Sequence, residues 1–361
     1  MQKVMIVTLF ILSSVVYLPK GRCEDFRIGL LLCLTGVCAE TGTSSLRGLE
    51  LAQEEINAKG GILNRRVVFV TEDSADAISG ARAVSGFKKI TLDPTVHYLI
   101  GPTWSGGAEA LIPLIARREN VLVITPSAGM RRFQASNARI FNTWPLDEIA
   151  TKRLAQWAID NGAHRAAIIG GEDSWSSLQA NAFKKAFKGP GREVIDDVAL
   201  PATNQDVRTE VSKVRSHNPD VVLLTGWENL PNVTHEFKKL GWFGQFLAVQ
   251  LDDERIRIGG TSLNGTVFAR FSEPENDFVK RYRARFGVEP ATSADTAYDT
   301  LYLLREAIQK LNSFDVARVK DVLQHIQYYG ASGLITFDET RSVQKQPLLF
   351  RYAAGKITRV D

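Results

Sequence analysis

Three loops rich in glycine and hydroxyl side chains carry most of the chemistry that this chain of 361 residues can offer. They are Cys33-Leu-Thr35-Gly36-Val-Cys38-Ala-Glu-Thr41-Gly42-Thr43-Ser44-Ser45, then Gly101-Pro102-Thr103-Trp104-Ser105-Gly106-Gly107, then Thr125-Pro126-Ser127-Ala128-Gly129. Each follows a short apolar run, and the first two enter a helical pattern. Glycines and hydroxyls at a helix start leave backbone N–H groups open to an anion. The same residues are ordinary turn and N-cap formers, so one such loop says little. Three in one half of the chain point to a shared site. The second loop has neither the Lys-Ser/Thr of a nucleotide P-loop nor the spacing of a dinucleotide fingerprint. A hydroxyl, Ser105, beside unencumbered amides suits a carboxylate or amide oxygen and suits a triphosphate poorly.

The later half presents aromatics instead. Glu172-Asp173-Ser174-Trp175 follows one apolar run and Gly226-Trp227-Glu228 follows another. Tryptophan at a strand end is more often a rim or core residue than a ligand platform. Trp104, Trp175 and Trp227 nevertheless all fall on one side of the expected topology, where flat rings can close on a small planar or apolar molecule. Enzyme constellations are missing. There is no Gly-x-Ser-x-Gly elbow and no His-Glu-x-x-His zinc helix. His97, His164, His217, His235 and His325 stand singly and read as surface or core residues. No cofactor and no metal is expected. Cys33 and Cys38, four residues intervening, fit no zinc or redox motif. A local disulfide and two buried thiols both remain open.

The elements that must position these loops follow an alternating rhythm. Strand-like runs are expected at residues 27–32, 66–72, 97–100, 121–125, 166–170, 193–200, 220–225, 246–250 and 266–271. Most are apolar throughout, as parallel strands covered on both faces are. Amphipathic stretches lie between them, with Leu49 and Ile56 on one face of the first. Alternation of this kind implies parallel sheets, right-handed crossovers and sites at the carboxyl ends of strands. The rhythm runs twice, over residues 26–143 and 147–270, separated by Thr143-Trp144-Pro145. Pro145 pushes its predecessor towards extended backbone, which suits a crossing between lobes. A second extended passage at residues 270–274 leads into a helix over 277–286, and residues 295–327 read as two more helices. The expected fold is α/β, two Rossmann-like lobes with parallel central sheets joined by a multi-strand hinge. Lobe 1 takes residues 24–143 and 275–330, and lobe 2 takes 144–274 and 331–361.

The N-terminus combines Lys3, an apolar run over residues 4–16 and a polar exit ending at Cys23. The run is short for a membrane span, and residues 1–23 read as a signal peptide, with an uncleaved anchor as the bland alternative. Its removal takes Lys3, Lys20 and Arg22 and leaves 41 basic against 40 acidic side chains. A chain so near neutrality has no electrostatic footprint for nucleic acid.

Taken together the residues resemble the periplasmic leucine/isoleucine/valine-binding protein family, the type I solute-binding proteins of ABC importers. The likeness is carried by Gly48-Leu-Glu-Leu-Ala-Gln-Glu-Glu-Ile-Asn-Ala-Lys-Gly-Gly61-Ile62, with support from Tyr98-Leu-Ile-Gly101, Val123-Ile-Thr-Pro126-Ser-Ala, Asp173-Ser-Trp175 and Ala297-Tyr298-Asp299. The resemblance implies a periplasmic monomer that closes on a small-molecule ligand and delivers it to an ABC permease in the inner membrane. A ligand-sensing protein signalling to a membrane receptor is the alternative. It implies ligand contacts from Thr103, Trp104 and Ser105, from Ser127, Ala128 and Gly129, and aromatic walls at Trp175 and Trp227. Gly129 stands where amino-acid binders commonly have Thr or Ser. The family's acidic partner for an α-ammonium falls on Gln250, which cannot neutralise that charge. Glu172, Asp173, Glu228 and Asp252 are possible substitutes. The simpler expectation is a ligand without the ammonium: a small carboxylate or amide, aromatic or not.

Overall fold

The computed structural model describes residues 24–75, 80–201, 206–271 and 273–360; the expected signal peptide lies outside them. Runs without polar alternation become parallel strands covered on both sides. Phe26–Leu32 (β1), Val67–Asp73 (β2), Tyr98–Ile100 (β3), Leu122–Thr125 (β4) and Ile140–Asn142 (β5) form a sheet in the order β2-β1-β3-β4-β5, all parallel. The intervening helices are Ala39–Ala58 (α1), Ala81–Ile90 (α2), Ser105–Ala116 (α3) and Arg131–Ala135 (α4). One face of the sheet packs on α1 through Leu49, Ala52 and Ile56. The other packs on α2 and α3 through Phe87, Ile90, Leu111 and Ile115.

The second lobe repeats the scheme. Its elements are Asp147–Asp160 (α5), Arg165–Gly171 (β6), Ser174–Phe187 (α6), Glu193–Leu200 (β7), Arg208–Ser216 (α7), Val221–Leu224 (β8), Leu230–Lys239 (α8), Gln245–Ala248 (β9), Asp253–Gly259 (α9) and Val267–Arg270 (β10). Strands β7-β6-β8-β9-β10 are parallel, and Leu348–Ala353 (β13) with Lys356–Arg359 (β14) extend them antiparallel. Both sheets therefore place their second strand outside the first and reverse direction between first and third. Crevices for ligands open at the carboxyl ends of strands at that reversal.

The chain returns to the first lobe with Asn276–Phe286 (α10), Ala294–Leu311 (α11), Val316–Gln324 (α12) and the hairpin Tyr328–Gly330 (β11) and Gly333–Ile335 (β12). α11 lies against α1 so closely that a Cβ on Gly48 would fall 2.1 Å from the Ala294 carbonyl oxygen. The expected boundary after residue 330 needs correction. Ala331, Ile335 and Val343 are buried in the first lobe's core, and the chain crosses only after Val343. The cause is Asp299 on α11, whose carboxylate accepts the N–H groups of Ala331 and Ser332, each at 2.7 Å. Three segments thus join the lobes, near residues 142–146, 271–275 and 343–348. The first and third are paired: Asn142 N–H donates to Arg341 O at 2.9 Å and Val343 N–H to Asn142 O at 3.0 Å.

Candidate functional site: a cavity between the lobes

The loops after β3 and β4 are tied to one another before they face anything else. Thr103 Oγ1 accepts the Cys33 N–H at 2.9 Å, and Ser127 Oγ donates to the Thr103 carbonyl at 2.9 Å. Thr125 Oγ1 donates to Pro102 O at 2.7 Å and accepts from Ala128 N–H at 3.0 Å. Cys33 and Cys38 form a disulfide that packs under Trp104. Trp104 is the N-cap of α3 and its side chain cannot cap, so the helix opens without a side-chain acceptor on its first amides. Ser105, Gly106 and Gly107 follow at once, and Ser105 Oγ has no partner among the described residues. The two serines therefore differ. Ser105 and the α3 amides have donors to give to an oxygen. Ser127 has already spent its proton and presents lone pairs.

Opposite them stands the second lobe. Trp175 lies in the first turn of α6, whose N-cap Asp173 accepts from Ser176 N–H at 2.9 Å. Trp227 follows β8; its ring meets Trp104 edge to face, centroids 5.5 Å apart at 78°, and the Arg255 guanidinium lies 4.9 Å from its centroid. Gln250 follows β9 and donates through Nε2 to Asp147 Oδ1 at 3.0 Å. Between the two walls lies a cavity of about 310 Å³.

Thr103, Trp104, Ser105, Ser127, Trp175, Trp227 and Gln250 all line this cavity. Ala128 and Gly129 do not. Ala128 is fully buried, its carbonyl accepting Asn142 Nδ2 at 2.6 Å. Gly129 serves as clearance rather than as a lost hydroxyl: a Cβ there would fall 1.8 Å from Asp147 Oδ2. The sequence reading missed Trp144, Asp147 and Thr292, which also line the space, whereas Thr41 came from a loop already marked. Of the four acids named as substitutes for Gln250, Glu172, Asp173 and Glu228 face the cavity. Asp252 lines a smaller adjoining one.

The electrostatics are one-sided. Asp147, Glu172, Asp173 and Glu228 face the space, and no lysine, arginine or histidine of the described residues lines it. Burial lifts the Asp147 carboxyl to about 6, against the donors Trp144, Trp175 and Gln250. Burial and then the nearby Asp173 charge raise Glu228, while Arg255 pulls it back. Such a space accepts an N–H or cationic nitrogen on the side of the acids and an oxygen at the start of α3. A lone anion would meet four carboxylates with only helix amides and hydroxyls to offset them. All five histidines are exposed. Among the described residues no group of three or more His, Cys, Asp or Glu side chains could hold a metal ion, and no helix is long and apolar enough to cross a membrane.

Residues 25–356 match the family described as periplasmic binding protein. A Leu/Ile/Val-binding protein of Rhizobium johnstonii is 26% identical, covering 98% of this chain and 99% of its own. The Leu/Ile/Val-binding protein of Escherichia coli is 24% identical over 88% of this chain and 87% of its own. Among solved structures, a leucine-binding protein from Thermotoga maritima superposes with a TM-score of 0.85 at 25% identity, covering 93% of this chain and 97% of its own. A solute-binding protein of an ABC transporter from R. palustris, in complex with benzoate, superposes with a TM-score of 0.82 at 20% identity, covering 93% and 95%.

Proposed function

We propose that this chain, which belongs to the periplasmic binding protein family, captures a small organic molecule outside the cytoplasm and presents it as a monomer to the permease of an ABC importer. It is a binding protein rather than an enzyme, as its relatives and structural neighbours are. The observation that carries the reading is the cavity itself: hydroxyls and an uncapped helix start from one lobe face indole rings and carboxylates from the other. An open form takes the ligand's carboxylate or amide oxygen on Ser105 and the first amides of α3, with the Ser127 lone pairs open to a ligand N–H. The second lobe then swings over it with Trp175 and Trp227. A ligand drives that closure only by binding the closed form better than the open one.

The relatives' names and structures divide the candidates between branched-chain amino acids and aromatic acids. Gln250 in place of an acid spoke for a ligand without an ammonium. The four carboxylates and the absence of a basic lining residue weigh more heavily the other way. The favoured ligand is amino-acid-like or an amide, with its nitrogen towards Glu228 and Glu172 and an apolar or flat part against the rings. The cavity admits a molecule of about the size of leucine or phenylalanine, near the lower end of ordinary ligand sites. Mass spectrometry of the molecule retained by the purified protein, followed by thermal-shift titration with L-leucine, L-phenylalanine, benzamide and benzoate, tests this. Amino acids or the amide should raise the unfolding midpoint more than benzoate. A protein stabilised by benzoate alone refutes the ligand class, and one that none of the four stabilises, with nothing retained, counts against the function.

A further inference from the structure

Three side-chain N–H groups from three separate segments converge on one buried carboxylate. Trp144 Nε1 and Gln250 Nε2 donate to Asp147 Oδ1 at 2.9 and 3.0 Å, and Trp175 Nε1 donates to Oδ2 at 2.7 Å. Asp147 is 1% exposed, opens α5, and packs where Gly129 leaves no room for a Cβ. We infer that Asp147 is a positioning residue of the cavity, locking the Trp144 and Trp175 indoles and the Gln250 amide so that these two indoles offer the cavity their rings and not their N–H groups. The inference rests on the reading of the cavity as the ligand site.

The lock has a chemical consequence. Free indole or amide N–H groups would attract acceptor oxygens to the second lobe. With three of them spent on Asp147, the indole N–H left unpaired on this wall is that of Trp227, and the other donors to a ligand come from Ser105 and the start of α3. The lock thus narrows the second lobe's donors to one indole, while the first lobe keeps the Ser105 hydroxyl and the α3 amides.

Each oxygen of the ionised carboxylate accepts, and a proton placed on Oδ2 adds a donor there and weakens that oxygen as an acceptor. The Trp175 tie then loosens while those on Oδ1 persist. Burial puts this titration at about 6, and no charged group of the described residues adds to the shift. The other carboxylates at the cavity are Glu172, Asp173 and Glu228, from the loops after β6 and β8. Glu148, next on α5, is paired outside with Arg131 at 3.4 Å.

Tryptophan emission of the unliganded protein, followed between about pH 4.5 and 8, reads the lock without any ligand. The wild type should show a step centred near the Asp147 titration. Asp147→Asn should abolish it, and Trp175→Phe, which keeps a ring but lacks the donor, should remove at least about half its amplitude. A step of full size in either variant overturns the inference; should Asp147→Asn not fold, Trp175→Phe decides alone. A calorimetric arm titrates the tightest binder among L-leucine, L-phenylalanine, benzamide and benzoate. There Asp147→Asn should weaken binding at least about tenfold at pH 8, and unchanged affinity would again overturn the inference. If none of the four binds the wild type, the proposed function suffers and the emission step still judges the lock.

Discussion

Trp227 meets a ring edge on one side and a cation on the other. Trp104 comes to it from the first lobe and Arg255 from the start of α9, so removing the indole opens the contact between lobes as well as the cavity wall. Trp227→Ala should therefore weaken binding by more than about tenfold, the scale of a buried aromatic anchor. Ser105→Ala removes a single hydrogen bond to the ligand oxygen and should cost about three- to tenfold. Isothermal titration of both variants checks the order; a Ser105 effect larger than that of Trp227 would contradict the closure described. Trp104, Ser105, Trp175 and Trp227, unlike Trp144, were marked in the sequence because each sits in a loop that follows a strand-like run. Asp147 was not. An acid in the first turn of a helix is an ordinary companion of the helix dipole, and only the fold brings Trp175 and Gln250 onto it.

The stretch Gly48–Ile62 carries most of the family likeness, yet none of it lines the cavity. It is a packing device. Glu55 Oε2 accepts the hydroxyls of Tyr298 and Tyr302, each at 2.7 Å, and Oε1 pairs with Arg281, joining α1 to α10 and α11. Glu55→Ala should lower stability by about 1–3 kcal/mol, the range for hydrogen bonds to a charged group, and leave ligand affinity within about twofold. Denaturant unfolding and a binding titration on the same preparation separate the two effects. A large loss of affinity with intact stability would assign Glu55 to the site instead. Elements were readable where they were long or uniformly apolar, as β1 and α10 are. Ile140–Asn142 is too short to register, and the hairpins near the C-terminus alternate weakly. The boundary at residue 330 failed because Asp299 holds Ala331 and Ser332 across 32 and 33 residues, a tertiary tie that no local period records.

At the scale of the whole molecule, the lobes bring two carboxyl groups together. Glu40, in the first turn of α1, faces Asp252, the N-cap of α9 in the other lobe, and Glu40 Oε2 and Asp252 Oδ2 are both buried without a hydrogen-bond partner among the described residues. Two buried carboxyl groups so placed favour a proton on one of them. Burial, then Asp252, with a smaller contribution from Asp253, lifts Glu40 to about 8, while Arg255 acts against them. Asp147 and Asp299 are also raised by burial, each to about 6. The sign is common to all three: the folded state holds these protons more tightly than the unfolded chain. Their contribution is complete below about pH 4, where both states are protonated. It is lost as pH rises through about 6 for the aspartates and about 8 for Glu40. The carboxylates with lowered values, such as Glu54 beside Arg285 and Asp73 at the Leu34 and Ala75 amides, act in the opposite sense, and only below about pH 4.5. Between about pH 5 and 8 the raised groups prevail, so the unliganded protein's melting temperature should fall across that range at constant ionic strength. Glu40→Gln keeps a donor towards Asp252 at every pH. It should flatten the decline between about pH 6.5 and 8 and, because the pair spans the lobes, remove any loss of ligand affinity over the same interval. A wild-type midpoint that rises towards pH 8, or a Glu40→Gln protein that declines in parallel with it, would show that the two carboxyls do not hold the lobes together.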